Sequence, residues 1–276
     1  VPSPGKRIAR RLLPHSLYRR YRRRKVAALI AQYPARVVSH DYAGRRLQIE
    51  LADPLAEGWY DRDWSEPTAI SFLRGRGVLT EGATVLDVGA HQAVIALMLA
   101  GVVGPDGHVV AVEAEPHNAR IAERNRELNG AENLTVIHAA GGAAAGVLSF
   151  AEGLNGQIDE STSSGNVEVQ AVTVDELVAR FGPPSLVMID VEGYEGEVLR
   201  GAGSVLGDGS TAFLVEVHEE IADFGSSADE ILALFADYER FVAVEDDDPL
   251  RALEDERPAG RFFLVALPRP VGAPGP

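Results

Sequence analysis

Four apolar runs of this chain end in acidic or acid–base residues, and those ends are where chemistry is to be sought. Val85-Leu86-Asp87-Val88-Gly89-Ala90-His91 brings an acid and a glycine to the close of a strand-like run. Ligands of open α/β sheets sit at such carboxyl ends, where a tight turn and a helix N-terminus let backbone N–H groups approach. A dinucleotide turn wants G-x-G-x-x-G, and this one has Gly89 alone, with an acid where a pyrophosphate would arrive. A carboxylate there suits a cationic ligand end, such as an amino group near a sulfonium. Val110-Ala111-Val112-Glu113-Ala114 offers a second acid 26 residues on, able to accept both hydrogen bonds of a ribose diol. That geometry serves NAD and S-adenosylmethionine alike. Plainer roles, a simple strand-to-helix turn and a solvated strand end, fit the same fragments.

Val187-Met188-Ile189-Asp190-Val191-Glu192 and Val215-Glu216-Val217-His218 carry the other two ends. Strand alternation puts Glu216 and His218 on one face. A histidine at a strand tip over a cofactor is a sensible general base, because its ordinary pKa lies near neutrality. The same four residues, Asp190, Glu192, Glu216 and His218, equally make a donor set for Mg2+ or a similar hard cation, and they equally suit structural pairing with backbone or basic groups. Glu115 reads as a helix N-terminal acid.

Elements that position these residues follow from periodicity. After residue 80, strand-length apolar runs alternate with helical stretches, which argues for β-α-β units on a parallel sheet buried on both faces. Strands are expected at Thr84–Val88, Val109–Glu113, Leu134–His138, Ser185–Asp190 and Ala212–His218, with two more at Arg240–Val244 and Arg261–Leu267. Helices are expected at Ala93–Ala100, Pro116–Asn129, Val174–Phe181 and Tyr194–Gly201. The second opens on Pro116 and stops at Asn129-Gly130, the usual start and stop signals. Upstream, a basic helix over Leu17–Tyr33 precedes a hairpin pattern within residues 36–52, and Trp59 and Trp64 follow. The Gly/Ser/Asn-rich stretch from Ser149 to Asn166 reads as a surface loop able to cover an acceptor.

Taken in order, Asp87-Val88-Gly89-Ala90, Glu113 with Pro116, Glu127-Leu128-Asn129-Gly130, Ile189-Asp190-Val191-Glu192-Gly193 with Glu195, Leu199-Arg200-Gly201, and Val215-Glu216-Val217-His218 resemble the FkbM family. These are class I S-adenosylmethionine-dependent methyltransferases, mostly acting on hydroxyls of polyketides, sugars and glycolipids. The resemblance runs from about Trp59 to His218. It implies an α/β, Rossmann-like fold with a seven-stranded, mostly parallel sheet whose last strand is antiparallel, and helices on both faces. It implies that Asp87, Gly89, Ala90 and His91 line the methionine end of the cofactor, with Asp190 nearby. Glu113 with Ala114 would take the ribose, Ala139 the adenine side, and Glu66 of Ser65-Glu66-Pro67 would close over the cofactor. His218 or Glu192 is the expected base, with Asp190 orienting the acceptor or a metal. The chain departs from the pattern at His91-Gln92-Ala93, where the family often has Asn-Ile-Gly, and at Met188, where it often has lysine.

Composition bounds the rest. The chain has 276 residues, no cysteine and a net charge of −15. Without cysteine there is no disulfide, thiolate metal site or cysteine nucleophile. The charge is uneven: eleven basic residues precede the first acid, Asp41, giving a +11 segment on a −26 body. That body repels polyanions, so a nucleic acid is not the expected partner, although a nucleic-acid methyltransferase contacting its substrate through the basic arm is the alternative function. An NAD-dependent oxidoreductase is disfavoured by the missing glycines. Residues 1–35 form a basic arm, 36–267 a methyltransferase domain with its core over about 66–267, and 268–276 a Pro/Gly tail. No run reaches the roughly 18–20 apolar residues of a membrane span, so the expectation is a cytoplasmic enzyme acting on a small-molecule or glycan acceptor. Residues 1–33 suit peripheral contact with an anionic membrane, or packing on the chain's own acidic body.

Overall fold

The computed structural model describes residues 15–151, 157–158, 167–254 and 256–269. The arm over residues 1–14, most of the Ser149–Asn166 insert and residues 270–276 of the tail lie outside them, as do the side chains of 15–23 on which the membrane-surface expectation rests. Among the described residues no helix is long and apolar enough to cross a membrane.

Helix α1 (His15–Gln32) leads into the antiparallel hairpin of β1 (Arg36–Tyr42) and β2 (Arg45–Leu51). Ala43 and Gly44 close it with φ of 54° and 79°, the two left-handed residues a two-residue hairpin turn requires. Two short helices then appear that periodicity did not reveal, α2 (Pro54–Tyr60) and α3 (Thr68–Gly75). Asp53 starts α2 by accepting the N–H groups of Leu55 and Ala56, with Pro54 in the first turn.

The main sheet is built from β3 (Thr84–Val88), β4 (His108–Glu113), β5 (Leu134–His138), β10 (Leu186–Ile189), β11 (Ala212–Val217), β12 (Glu239–Ala243), β13 (Arg251–Ala252) and β14 (Phe262–Leu267). Its order is β13-β12-β14-β11-β10-β3-β4-β5. The five strands from β11 to β5 are parallel neighbours, and β14 is antiparallel to both β11 and β12. The sheet therefore has eight strands, not seven, the extra one being the two-residue β13 paired to the edge of β12. Helices α4 (Val94–Val103), α5 (Pro116–Leu128), α6 (Val174–Phe181), α7 (Glu195–Arg200), α8 (Gly203–Asp208) and α9 (Ala228–Leu234) connect and flank the strands.

Alternation along each strand feeds two cores. Leu86, Val88, Val110, Val112, Val187 and Ile189 enter one; Val85, Val109, Ala111 and Leu186 enter the other. Burial on both faces is why these strands read as uninterrupted apolar runs. The hairpin belongs to the second core, where Tyr42, Ile49 and Leu51 join α4 residues. It is further pinned to α5 by Asn125 Oδ1, which accepts the Glu50 N–H at 2.8 Å.

The insert between β5 and β10 is partly a second sheet, β6 (Ala140–Gly141), β7 (Gly146–Ala151), β8 (Gln157–Ile158) and β9 (Val167–Val172), in the order β6-β9-β7-β8. β7 and β9 pair antiparallel. Of the Ser149–Asn166 stretch expected as a loop, the described residues Ser149–Ala151 and Gln157–Ile158 lie in β7 and β8, and β9 begins directly after it, where Val167-Glu168-Val169-Gln170 alternates with a two-residue period.

Candidate functional site

The chain runs outward from β3 through β4 to β5 and, after the insert, returns to β10 on the other side of β3, so the carboxyl tips of β3 and β10 open a crevice at the sheet's switch point. Gly89 turns the chain there with φ of 96°. A β-carbon on it would lie 1.7 Å from the Asp190 carbonyl oxygen, so only glycine lets the two strand tips come this close. His91 and Ala93 follow with φ of 48° and 60°, a left-handed geometry that costs an L side chain roughly 1–2 kcal/mol. Neighbours hold the turn regardless: the His91 N–H donates to Glu113 Oε2 at 2.7 Å, and the Asn125 side-chain amide donates to the Gln92 carbonyl at 2.9 Å.

Asp87 is 4% exposed, and its Oδ2 has no hydrogen-bond partner. Burial alone pushes its carboxyl up to about 7. Glu113, buried at the tip of β4, is pushed up to about 8, burial outweighing the N–H groups of Glu115 and His91 that favour its charged form. Both acids thus keep protons in the folded chain at a pH where the unfolded chain, with carboxyl pKa values of 3.8 and 4.5, has lost them. Their contribution is present below about pH 4 and is lost as pH climbs through 7 and 8. Melting of the ligand-free protein is expected to fall by several degrees from pH 5.5 to 8.5, with a shallower decline in Asp87→Asn. A variant whose melting tracks the parent across that range would contradict the assignment.

An aromatic wall faces this turn. Tyr60 OH and His91 Nδ1 are hydrogen-bonded at 2.9 Å, and the rings of Trp59 and His91 lie 5.1 Å apart, those of Tyr60 and Trp64 5.7 Å. The wall is fixed from behind by Asp53, whose Oδ2 accepts from Gln92 Nε2 at 2.7 Å and meets His117 Nε2 at 3.1 Å. Burial would raise the Asp53 carboxyl, but the His117, Ala56 and Gln92 hydrogen bonds win and hold it below the usual range.

Across the crevice stands a cluster of carboxylates around one imidazole. His218 is buried, with Nδ1 2.8 Å from Glu195 Oε1. Its Nε2 is 3.3 Å from Glu216 and 3.8 Å from both Asp190 and Glu192. Burial disfavours the charged ring, but hydrogen bonds to Glu195 and Glu216 more than offset it and lift the imidazole to about 11. The ring is therefore an imidazolium at neutral pH, which removes the neutral-range pKa that made His218 the expected base. Asp190 is half exposed, opening into the crevice, yet it is held well above the ordinary carboxylate range by burial and then by Glu216. Glu216 is held low, its burial outweighed by His218 and Arg261, whose Nη1 lies 2.5 Å away.

Asp190, Glu192 and His218 bring ligand atoms within 4.8 Å of one another. They nonetheless do not fit the Mg2+ site expected with Glu216. Both ring nitrogens of His218 face carboxylates and offer a hard cation no lone pair. Glu216 is committed to His218 and Arg261.

These groups line one cavity of about 710 Å3. Of the residues expected from sequence, Asp87, Gly89, Ala90, His91, Glu113, Ala114, Ala139, Asp190, Glu192, Glu216 and His218 all line it. Glu66 does not: its carboxylate pairs with Arg74 at 2.8 Å beside a separate groove. The pull of Arg74 on the next helix explains the difference. Sequence reasoning did not assign Trp59, Tyr60, Trp64, Arg62, Asp246 or Arg261, which also line the cavity, and gave Glu195 no role. The clustering of both tryptophans between residues 59 and 64 was the one available signal.

Residues 87–241 match the family model described as the Methyltransferase FkbM domain. A protein-L-isoaspartate O-methyltransferase of Methanococcoides burtonii is 34% identical over 85 residues, 31% of this chain and 41% of that protein. A second, from Archaeoglobus fulgidus, is 38% identical over 92 residues, 33% of this chain and 42% of that protein. The chain thus spans about two fifths of the length of the curated relatives it matches. Among solved structures, a methyltransferase FkbM from Methylobacillus flagellatus shares 16% identity with a TM-score of 0.45, covering 66% of this chain and 43% of that one. Aeropyrum pernix fibrillarin with natively bound S-adenosyl-L-methionine shares 17% identity with a TM-score of 0.44, covering 85% and 83%.

Proposed function

Because the chain belongs to the FkbM methyltransferase family, we propose that it is an S-adenosylmethionine-dependent O-methyltransferase acting on a hydroxyl of a small molecule such as a sugar, glycolipid or polyketide. The observation that carries this reading is Asp87, a buried carboxylate with an unpartnered oxygen beside a glycine-only turn, facing a cavity. Such an oxygen calls for a cationic hydrogen-bond donor. The donor chemistry fits the cofactor: Asp87, Gly89, Ala90 and His91 would hold its methionine end, Glu113 with Ala114 its ribose, and Ala139 its adenine side. When bound, S-adenosylmethionine supplies a methyl carbon activated by the positive sulfur.

The chain's own tasks are to align the acceptor, exclude water and take a proton. The aromatic wall of Trp59, Tyr60 and Trp64 closes one side against water. As the acceptor oxygen gains the methyl, its proton needs a base within the cavity. Asp190 suits this role: its carboxylate opens into the cavity, and burial and Glu216 raise its affinity for a proton. His218 stays protonated and, with Glu195 behind it, orients the carboxylates that face its Nε2.

The curated relatives are named for isoaspartate, an acid. Besides Asp87 and Glu113, which keep their protons, the cavity is lined by eight acids against two arginines, an excess that disfavours an anionic acceptor and favours a hydroxyl over a carboxylate or a nucleic acid. Turnover is read as S-adenosylhomocysteine release, with an acceptor found among hydroxylated sugars, glycolipids and polyketides. Asp190→Asn is expected to lower kcat by about 100-fold or more while S-adenosylhomocysteine affinity stays within a few-fold. An undiminished kcat would remove Asp190 from the reaction.

A further inference from the structure

Beneath the acids at the strand tips the cavity has an apolar floor. Strand alternation puts Met188 on the face of Asp190, Leu214 on that of Glu216 and Phe263 on that of Arg261, each two residues away. Register makes them neighbours: Met188 lies beside Asp87 and Leu214, and Phe263 beside Glu216 and Ala243. All of them line the cavity, as do Ala69 and Ile70 of α3. β10 is an interior strand whose Leu186, Val187 and Ile189 are buried, yet Met188 is only half-buried. Helix α3 is held where it is by Phe72 against Phe241, ring centres 4.8 Å apart, and by the Thr68 N–H, which donates to the Asp246 carbonyl at 3.2 Å. It cannot settle onto Met188 without disturbing both contacts.

The rim above the floor satisfies itself. Arg261 pairs with Glu216 at 2.5 Å, and its guanidinium stands 5.5 Å from the Phe263 ring. An apolar recess under a few polar groups is the usual form of a site that receives an apolar group and orients a polar one. The cofactor does not account for the recess. Its methionine end is polar, and its adenine side is assigned to Ala139, which follows β5, three strands from β10 and on the side away from β11 and β14. Resting on the methyltransferase reading above, we infer that the acceptor carries an apolar group a few bonds from the hydroxyl that meets Asp190, and that Met188, Leu214 and Phe263 select for it. Two strand residues, roughly 6.6 Å, set the separation of the two parts. A bare sugar leaves the floor facing water, whereas an alcohol beside an aliphatic chain or a ring covers it and removes apolar surface from water.

Calorimetric titrations of the full chain, saturated with S-adenosylhomocysteine, test this with methyl, hexyl and phenyl β-D-glucopyranosides. The hexyl or the phenyl glucoside is expected to bind at least about tenfold more tightly than the methyl one, and the tighter of the two tells a chain from a ring. Met188→Gln, similar in length but polar, should cut that preference to within about threefold, and Met188→Leu should retain it. Phe263→Ala is the second, independent variant and should lower the preference at least about threefold. Equal binding of the three glucosides, binding of none, or a preference untouched by both Met188→Gln and Phe263→Ala would each overturn the inference. If S-adenosylhomocysteine itself does not bind, it is the methyltransferase reading that falls.

Discussion

Gly89→Ala is expected to lower affinity for S-adenosylhomocysteine by at least about 100-fold, a loss of roughly 3 kcal/mol. Two independent costs combine at this position. The backbone sits at φ of 96°, outside the range an alanine accepts readily. The new methyl would also lie 1.7 Å from the Asp190 carbonyl oxygen and 3.2 Å from Val191 Cγ1. Backbone cannot yield as a flexible side chain can, so the tips of β3 and β10 must separate, displacing both Asp87 and Asp190. Gly209→Ala separates the two costs, since φ there is 64° but nothing lies within 4 Å of the added carbon. That variant should lose about 1 kcal/mol of stability and keep its cofactor affinity within twofold. Parent-like binding by Gly89→Ala would show that the crevice is not the cofactor site.

His218→Ala is expected to destabilise the fold by about 3–5 kcal/mol, because removing one partner of a buried ion cluster leaves its charges unpaired. For a domain of this size that is a fall in Tm of about 10 °C. Asp190, Glu195 and Glu216 would then lose the cation they share, while Arg261 would still pair with Glu216. The pH dependence distinguishes lost charge from lost packing. The folded-state pKa of His218 lies above its ordinary 6.5, at about 11. Its stabilisation is therefore complete below about 6.5 and drains away as pH rises towards 11. The gap in Tm between parent and variant should be largest near pH 6 and narrow steadily above it. Glu195→Gln combined with His218→Ala should recover part of the loss, since one unpaired buried charge is removed with the ring. A gap that does not change with pH would mean that the ring contributes packing alone.

The legible part of this chain was its central sheet. Strands β3 and β5 fall where expected, residue for residue, and the other expected strands shift by one residue at an end or two. Parallel strands buried on both faces must be written as apolar runs, and turn residues bound those runs closely. Helices α2 and α3 escaped because seven or eight residues give too few turns to establish a period. β7 and β9 escaped because glycine and serine between them looked like loop composition. In the site, the acids at strand tips were legible because the fold class dictates where strands deliver their last residues. The chemistry of His218 was not. Its ionisation depends on Glu195, 23 positions away and fully buried, and no spacing rule states that the two will meet. The same holds for Asp53, which meets Gln92 and His117 only after the hairpin folds onto α5. Glu66 failed for the opposite reason: a motif placed it near the cofactor, and a local arginine claimed it.

Isothermal titration of the full, ligand-stripped chain with S-adenosylhomocysteine decides whether the β3/β10 crevice is a cofactor site. A single site in the micromolar range, about −8 kcal/mol, is expected, with no binding of NADH under the same conditions. Asp87→Asn, still folded by its melting curve, is expected to bind at least about tenfold more weakly. A folded parent that binds no S-adenosylhomocysteine, or one whose affinity is untouched by Asp87→Asn, would contradict it.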